Sequence, residues 1–117
     1  AVLLRAVEPV EGIDLMVRNR EWTGIGKSQT AGHFRDPQKG NQRAIPPNLT
    51  NGPAKLCQAF GIERNQNGTD LLGGLIFLAR GEYIPSSEIS SSPRIGIKNG
   101  REKKWRFYVK GNPFISK

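Results

Sequence analysis

Three places in the chain carry groups whose type and spacing could do chemistry. Arg5 is the one polar residue in Val2-Leu3-Leu4-Arg5-Ala6-Val7, a run of aliphatic and β-branched side chains. A guanidinium on an apolar strand needs an acceptor, because a buried unpaired charge is costly; it can hold an anion or position a polar group. The second place is the stretch from Leu49 to Gly61. Pro53 suits the first turn of a helix, Leu56, Ala59 and Phe60 form one apolar face, and Gly61 is a C-terminal stop. That helix would begin with free backbone N–H groups beside Gly52, which has no side chain to block approach, and with Lys55 one turn in. Such a terminus can bind phosphate, although spacing alone more often means an ordinary capped helix packed on a core. The third place is Arg94-Ile95-Gly96-Ile97-Lys98, a short predicted strand in which Gly96 leaves room for close backbone approach.

Other chemistries find little support. His33 stands alone in a polar stretch, without the spaced partners of a metal or catalytic histidine. Cys57 is the single cysteine, which excludes an intrachain disulfide and a cysteine-based zinc site and points to a reducing intracellular compartment. Two glycosylation sequons, at Asn48 and Asn67, lack any secretory context and are set aside. Glu8, wedged before Pro9, is read as structural rather than as a general base. No apolar run nears the roughly 18 residues that cross a bilayer, so no membrane partner is expected.

The elements that must position these groups follow from periodicity. A chain of 117 residues suits one domain. Its 18 lysines and arginines outweigh 10 acids, for a formal charge of +8 and a pI near 10.2, which favours a phosphate-bearing partner. Residues 2–7 read as a buried strand already under way, so the chain is expected to begin inside a fold. Residues 11–20 place Ile13, Met16, Val17 and Arg20 on one helical face, with Glu11 and Asp14 at the start and Arg18 and Arg20 at the end to suit the macrodipole. Periodicity vanishes over 22–47, a long basic loop that is either functional or disordered. Further strands are predicted at 74–79, 94–98 and 104–110, with a loop over 85–93. In the last strand Trp105, Phe107 and Val109 would face the core, and Arg106, Tyr108 and Lys110 would form a basic, aromatic outer face. The class is α+β: a single mixed domain with short helices.

Taken together, several segments in fixed order resemble one family, the alkyladenine (3-methyladenine) DNA glycosylases of the mammalian and Bacillus type. The resemblance rests on Val2 through Pro9 followed by Glu11-Gly12, on Leu49 through Ala59, on Arg94-Ile95-Gly96-Ile97, and on Trp105-Arg106-Phe107-Tyr108-Val109 leading into Gly111-Asn112-Pro113-Phe114-Ile115-Ser116. It spans nearly the whole chain. It implies a curved antiparallel sheet, no metal or organic cofactor, and a double-stranded DNA partner containing damaged purines. The implied reaction extrudes the damaged nucleotide, holds the base in an aromatic pocket and displaces it with water.

By the same resemblance, Arg5 corresponds to an arginine that helps hold the attacking water, and Ile95 to a position whose main-chain carbonyl accepts from it. Gly52, Pro53 and Lys55 correspond to a helix start that contacts backbone phosphate. Arg20, Arg64, Arg94 and Gly96 fall at further DNA contacts. The family's general-base glutamate, its base-sandwiching histidine and tyrosines and its wedge tyrosine precede the Arg5 strand, so the chain is expected to be the C-terminal part of one glycosylase domain that needs an upstream segment of the same protein. The loop over 22–47 is longer and more basic than in human-type enzymes. The nucleus is the expected compartment in a eukaryote, the cytoplasm or nucleoid in a bacterium. A competing reading is a non-catalytic basic nucleic-acid-binding module.

Overall fold

The two helices pair because each presents a short apolar stripe to the other. The computed structural model describes residues 1–22 and 45–116. Helix α1 runs Ile13–Trp22, two residues later at each end than periodicity suggests, since its first bond is Met16 N–H to the Gly12 carbonyl (3.0 Å) and Gly12 itself is left-handed. Helix α2 runs Pro53–Phe60, with proline in its first turn as predicted. Gly61 ends it in the left-handed region (φ 64°): its N–H donates to the Gln58 carbonyl while Ile62 N–H donates to the Cys57 carbonyl. That pair of bonds is a Schellman cap, which satisfies carbonyls the helix leaves open and needs a residue that tolerates positive φ.

Met16 and Val17 of α1, Ala59 of α2 and Leu49 between them form the buried cluster, with Ile13 and Ile45 packed at its edge. Burying a side chain such as Leu49 stabilises by about 2 kcal/mol. Polar bonds then fix the helix pair. Asn19 Nδ2 donates to the Ala59 carbonyl (3.0 Å) and Arg20 Nη1 to Gln58 Oε1 (2.8 Å). Phe60, expected on the apolar face, is half exposed instead, because Ala59 alone of the last turn points into the cluster.

Thr50 is fully buried, and its hydroxyl donates to the Val7 carbonyl at 2.6 Å. This bond ties the N-terminal arm, residues 1–10, to the segment that leads into α2. A second tether is more exposed: Asn112 Nδ2 donates to Glu8 Oε2 (2.7 Å). Pro9 is buried between the two attachments.

The sheet among the described residues has two antiparallel strands, β1 (Ile89–Ser92) and β2 (Arg106–Val109), in the register Ile89↔Val109 and Ser92↔Arg106. Two helices and this ribbon make the protein α+β. Several predicted strands are corrected. Residues 2–7 form an irregular arm, because they pair with no strand among the described residues and a strand exists only through its ladder. Residues 74–79 do not extend: Gly74 is left-handed and the stretch closes into a loop through Leu78 N–H to the Leu71 carbonyl (2.9 Å). Residues 94–98 bend at Gly96 (φ 75°) rather than run straight. Strand β1 lies inside the predicted loop 85–93, and the predicted strand 104–110 is shortened to 106–109.

The faces of that ribbon depart from expectation at 105–108, whereas Val109 is partly buried and Lys110 exposed as expected. Trp105 and Phe107, assigned to the core, are 61% and 69% exposed. The Arg106 side is the more covered one: Arg106 donates to Ser92 Oγ (3.0 Å) and to the Ser116 carbonyl, and its guanidinium stacks on the Tyr108 ring at 4.4 Å. Arginine is the residue suited to this, because its planar fork can bond two acceptors while its face rests on an aromatic ring. His33 and residues 23–44 of the predicted basic loop lie outside the described residues.

Candidate nucleic-acid interface

The start of α2 is open and carries no acid. Gly52 occupies the cap position with no side-chain cap bond, Pro53 follows, and no acid lies in the first turn. The first N–H groups of a helix have no partner inside it, and the positive end of the macrodipole is therefore left uncompensated. Gly52 is extended (φ −171°), a conformation open to any residue, and a Cβ there would meet only Lys55 Cδ at an ordinary 3.8 Å. Nothing in the packing around it demands a glycine at this position. Lys55 is half-buried, and its ammonium donates to Asn51 Oδ1 (2.8 Å), which holds the charge beside the cap.

Arg20, on α1, is partly buried. Its guanidinium braces α1 against α2 through Gln58, and burial draws its pKa below the ordinary arginine value, though an arginine stays charged at any neutral pH. Arg64 follows α2 in a short 3₁₀ turn, Arg64–Gln66, on an open depression it shares with Ile62, Glu63, Gln66 and Asn67. Gln66 Oε1 accepts from the Glu63 N–H (2.7 Å) and fixes that turn.

Arg5 lies on the arm two residues from the Thr50 tether. Its Nε is buried and has no hydrogen-bond partner among the described residues. An unsatisfied buried donor costs about 1–3 kcal/mol, so this group is poised for an acceptor. Arg94, Ile95 and Gly96 lie on the bend after β1, and all three are exposed. Gly96 is glycine for its backbone: φ is 75°, and a Cβ would meet nothing within 4 Å. Gly96 makes a left-handed bend and faces open space among the described residues. Arg101 Nε engages the Ile97 carbonyl (2.8 Å), and among the described residues no hydrogen bond takes the Ile95 carbonyl.

Gly52, Pro53 and Lys55 stand together at the start of α2, with the arm of Arg5 attached just before them through Thr50, while Arg20 of α1 bonds to Gln58 in the last turn of the same helix. The bend at 94–96 belongs to the ribbon. Sequence reasoning missed Thr50, Asn51 and Asn112, polar residues in turns whose role depends on what the fold places opposite them. Among the described residues no group of three or more His, Cys, Asp or Glu is placed to hold a metal ion. No helix among them is long and apolar enough to cross a membrane.

A strongly basic α+β protein with an open, positive helix end has the charge to attract phosphate-bearing polymers. Comparison with known proteins makes this particular: residues 1–113 match the sequence profile of the methylpurine-DNA glycosylase family, and the chain belongs to that family. Curated relatives agree over its whole length. A protein of Prosthecochloris aestuarii is 39% identical over 117 residues, covering 100% of this chain and 46% of its own. One of Chlorobium phaeovibrioides is 40% identical and covers 99% of this chain and 48% of its own. One of Clostridium acetobutylicum is 42% identical and covers 98% and 51%. Each bears the name "Putative 3-methyladenine DNA glycosylase". The chain therefore spans about half the length of the curated relatives it matches.

Proposed function

We propose that the protein acts in DNA repair as a monofunctional glycosylase that hydrolyses the bond between deoxyribose and an alkylated or deaminated purine. Family membership supports the class, and one structural observation carries the assignment of parts: the uncapped start of α2, with Gly52 open and Lys55 held beside it. In this reading the N–H groups of that helix end and the Lys55 ammonium grip a backbone phosphate, with Arg64, Arg94 and Gly96 along the same strand. Arg20 holds the grip in shape through Gln58.

The chemistry follows from what the lesion needs. The damaged nucleotide leaves the stack at a cost of a few kcal/mol, less than for an intact base. A water oxygen bonds to C1′ of the sugar, the bond from C1′ to the purine nitrogen breaks, and the base leaves with the bonding pair while the water gives up a proton. Arg5, with its buried and unpartnered Nε, and the Ile95 carbonyl on its exposed bend hold that water from two sides. The carboxylate that takes the proton is supplied by a further part of the same polypeptide, upstream of Arg5. Residues 1–117 then form the C-terminal part of one domain, and no cofactor enters the reaction.

The test is excision. A duplex with one hypoxanthine is incubated with the chain alone and with the protein completed to the length of its relatives, and abasic sites are cleaved with alkali. Strand scission by the completed protein and none by the chain alone is expected. Binding without scission by the completed protein would favour the competing reading, a non-catalytic nucleic-acid-binding module.

A further inference from the structure

One face of the β1–β2 ribbon is largely apolar and carries two exposed aromatic rings. The register puts Ile89 opposite Val109 and Ser91 opposite Phe107, so Ile89, Val109, Phe107 and, one step before the strand, Trp105 share that face. Ile89, Trp105 and Phe107 are 41%, 61% and 69% exposed. Two aromatic rings on a strand normally bury their area, and an isolated two-stranded ribbon is at best marginally stable in water. Meanwhile its relatives carry about as much chain again as the part matched, 46% and 48% of their length being covered.

We propose that this face, Ile89, Trp105, Phe107 and Val109, is the seat of the part of the same polypeptide that the relatives carry beyond the matched half. That part lays apolar side chains over the two rings and turns the ribbon into the middle of a larger layer. Lys103, whose ammonium stands 4.3 Å from the Trp105 ring centroid, marks the polar rim of the contact. The covered Arg106 side needs no such partner, since Ser92, Ser116 and Tyr108 already satisfy it. The proposal rests on the reading that the working enzyme includes this further part, and it names the surface that receives it.

Hydroxyl-radical footprinting tests it without reference to activity. The unmatched part of the Prosthecochloris aestuarii relative is joined ahead of Ala1, and oxidation at Trp105 and Phe107 is compared with that in the 117-residue chain. Oxidation at both is expected to slow at least fivefold in the joined protein. Rates within twofold of each other, or a joined protein with no cooperative unfolding transition, overturn the proposal. So does protection already present in the 117-residue chain that disappears on dilution, which assigns the face to a second copy. A second variant gives an independent reading: Phe107→Asp should shift the melting temperature of the 117-residue chain by less than about 2 °C and that of the joined protein by about 5 °C or more. Equal shifts contradict the interface. A joined protein that is protected at both rings but excises nothing would keep the interface and refute the glycosylase reading.

Discussion

Thr50→Val removes one hydroxyl and almost no volume, and so isolates the bond that holds the Arg5 arm to the helix pair. Thr50 is fully buried and its Oγ1 donates to the Val7 carbonyl at 2.6 Å across 43 residues of sequence. Valine fills the same space, so the cavity contribution is near zero. What is lost is the net value of one hydrogen bond, about 1 kcal/mol, together with part of the cost of leaving a carbonyl unsatisfied. Val7 is half-buried, and water can recover some of that second cost. The sum is about 1.5 kcal/mol. With a urea dependence of about 1.5 kcal/mol per M, the unfolding midpoint should fall by about 1 M with the slope unchanged. The exposed tether is the control: Glu8→Ala removes the Asn112 bond and should cost less than about 0.5 kcal/mol, because solvated groups lose little. Denaturation followed by circular dichroism reads both. A midpoint shift for Thr50→Val under about 0.2 M, or a larger loss for Glu8→Ala than for Thr50→Val, would refute the reasoning that burial ranks the two attachments.

Three further expectations follow from the same geometry. Leu49→Ala, at the centre of the Met16, Val17 and Ala59 cluster, should cost about 3 kcal/mol in the same denaturation assay; a loss below 1 kcal/mol would mean that the cluster is not the core. Lys55→Ala should weaken binding to lesion-bearing and undamaged duplexes alike and lower the salt slope of log K by about one unit, and an unchanged slope removes Lys55 from the contact. Gly52→Ala should leave the melting temperature within about 2 °C, since its backbone and surroundings accept a Cβ, yet weaken duplex binding several-fold by crowding the helix end. Loss of stability without loss of binding would make Gly52 a folding residue instead.

The helices were legible in the sequence because their signals are local. Pro53 and Gly61 punctuate α2 within nine residues, and the spacing of Ile13, Met16 and Val17 already marks the face that packs. Strands are defined by partners that local spacing does not name. Residues 2–7 carry the composition of a buried strand, but the arm is held by side-chain bonds at Val7 and Glu8 and, among the described residues, by no ladder. Ile89-Ser90-Ser91-Ser92 has a weak strand signal, yet it pairs with β2 because Arg106 and Tyr108 find partners there. Alternation at 104–110 correctly separated two faces. Which of them is covered depends on what packs against the ribbon, and that information lies in other segments. For the site, glycine at 52 and at 96 looks alike in the sequence. Only the dihedral angles separate an extended glycine from one in a left-handed bend.

The claim on which the account turns is that Arg5 serves the reacting water rather than the fold. Its most direct test is Arg5→Ala in the protein completed to the length of its relatives, with single-turnover excision of hypoxanthine and duplex affinity measured side by side. Misplacing a reacting group by about 1 Å costs about 100-fold in rate, so excision should slow by at least that factor while affinity changes by less than threefold. Excision and affinity falling by the same factor, or excision left intact, would contradict it.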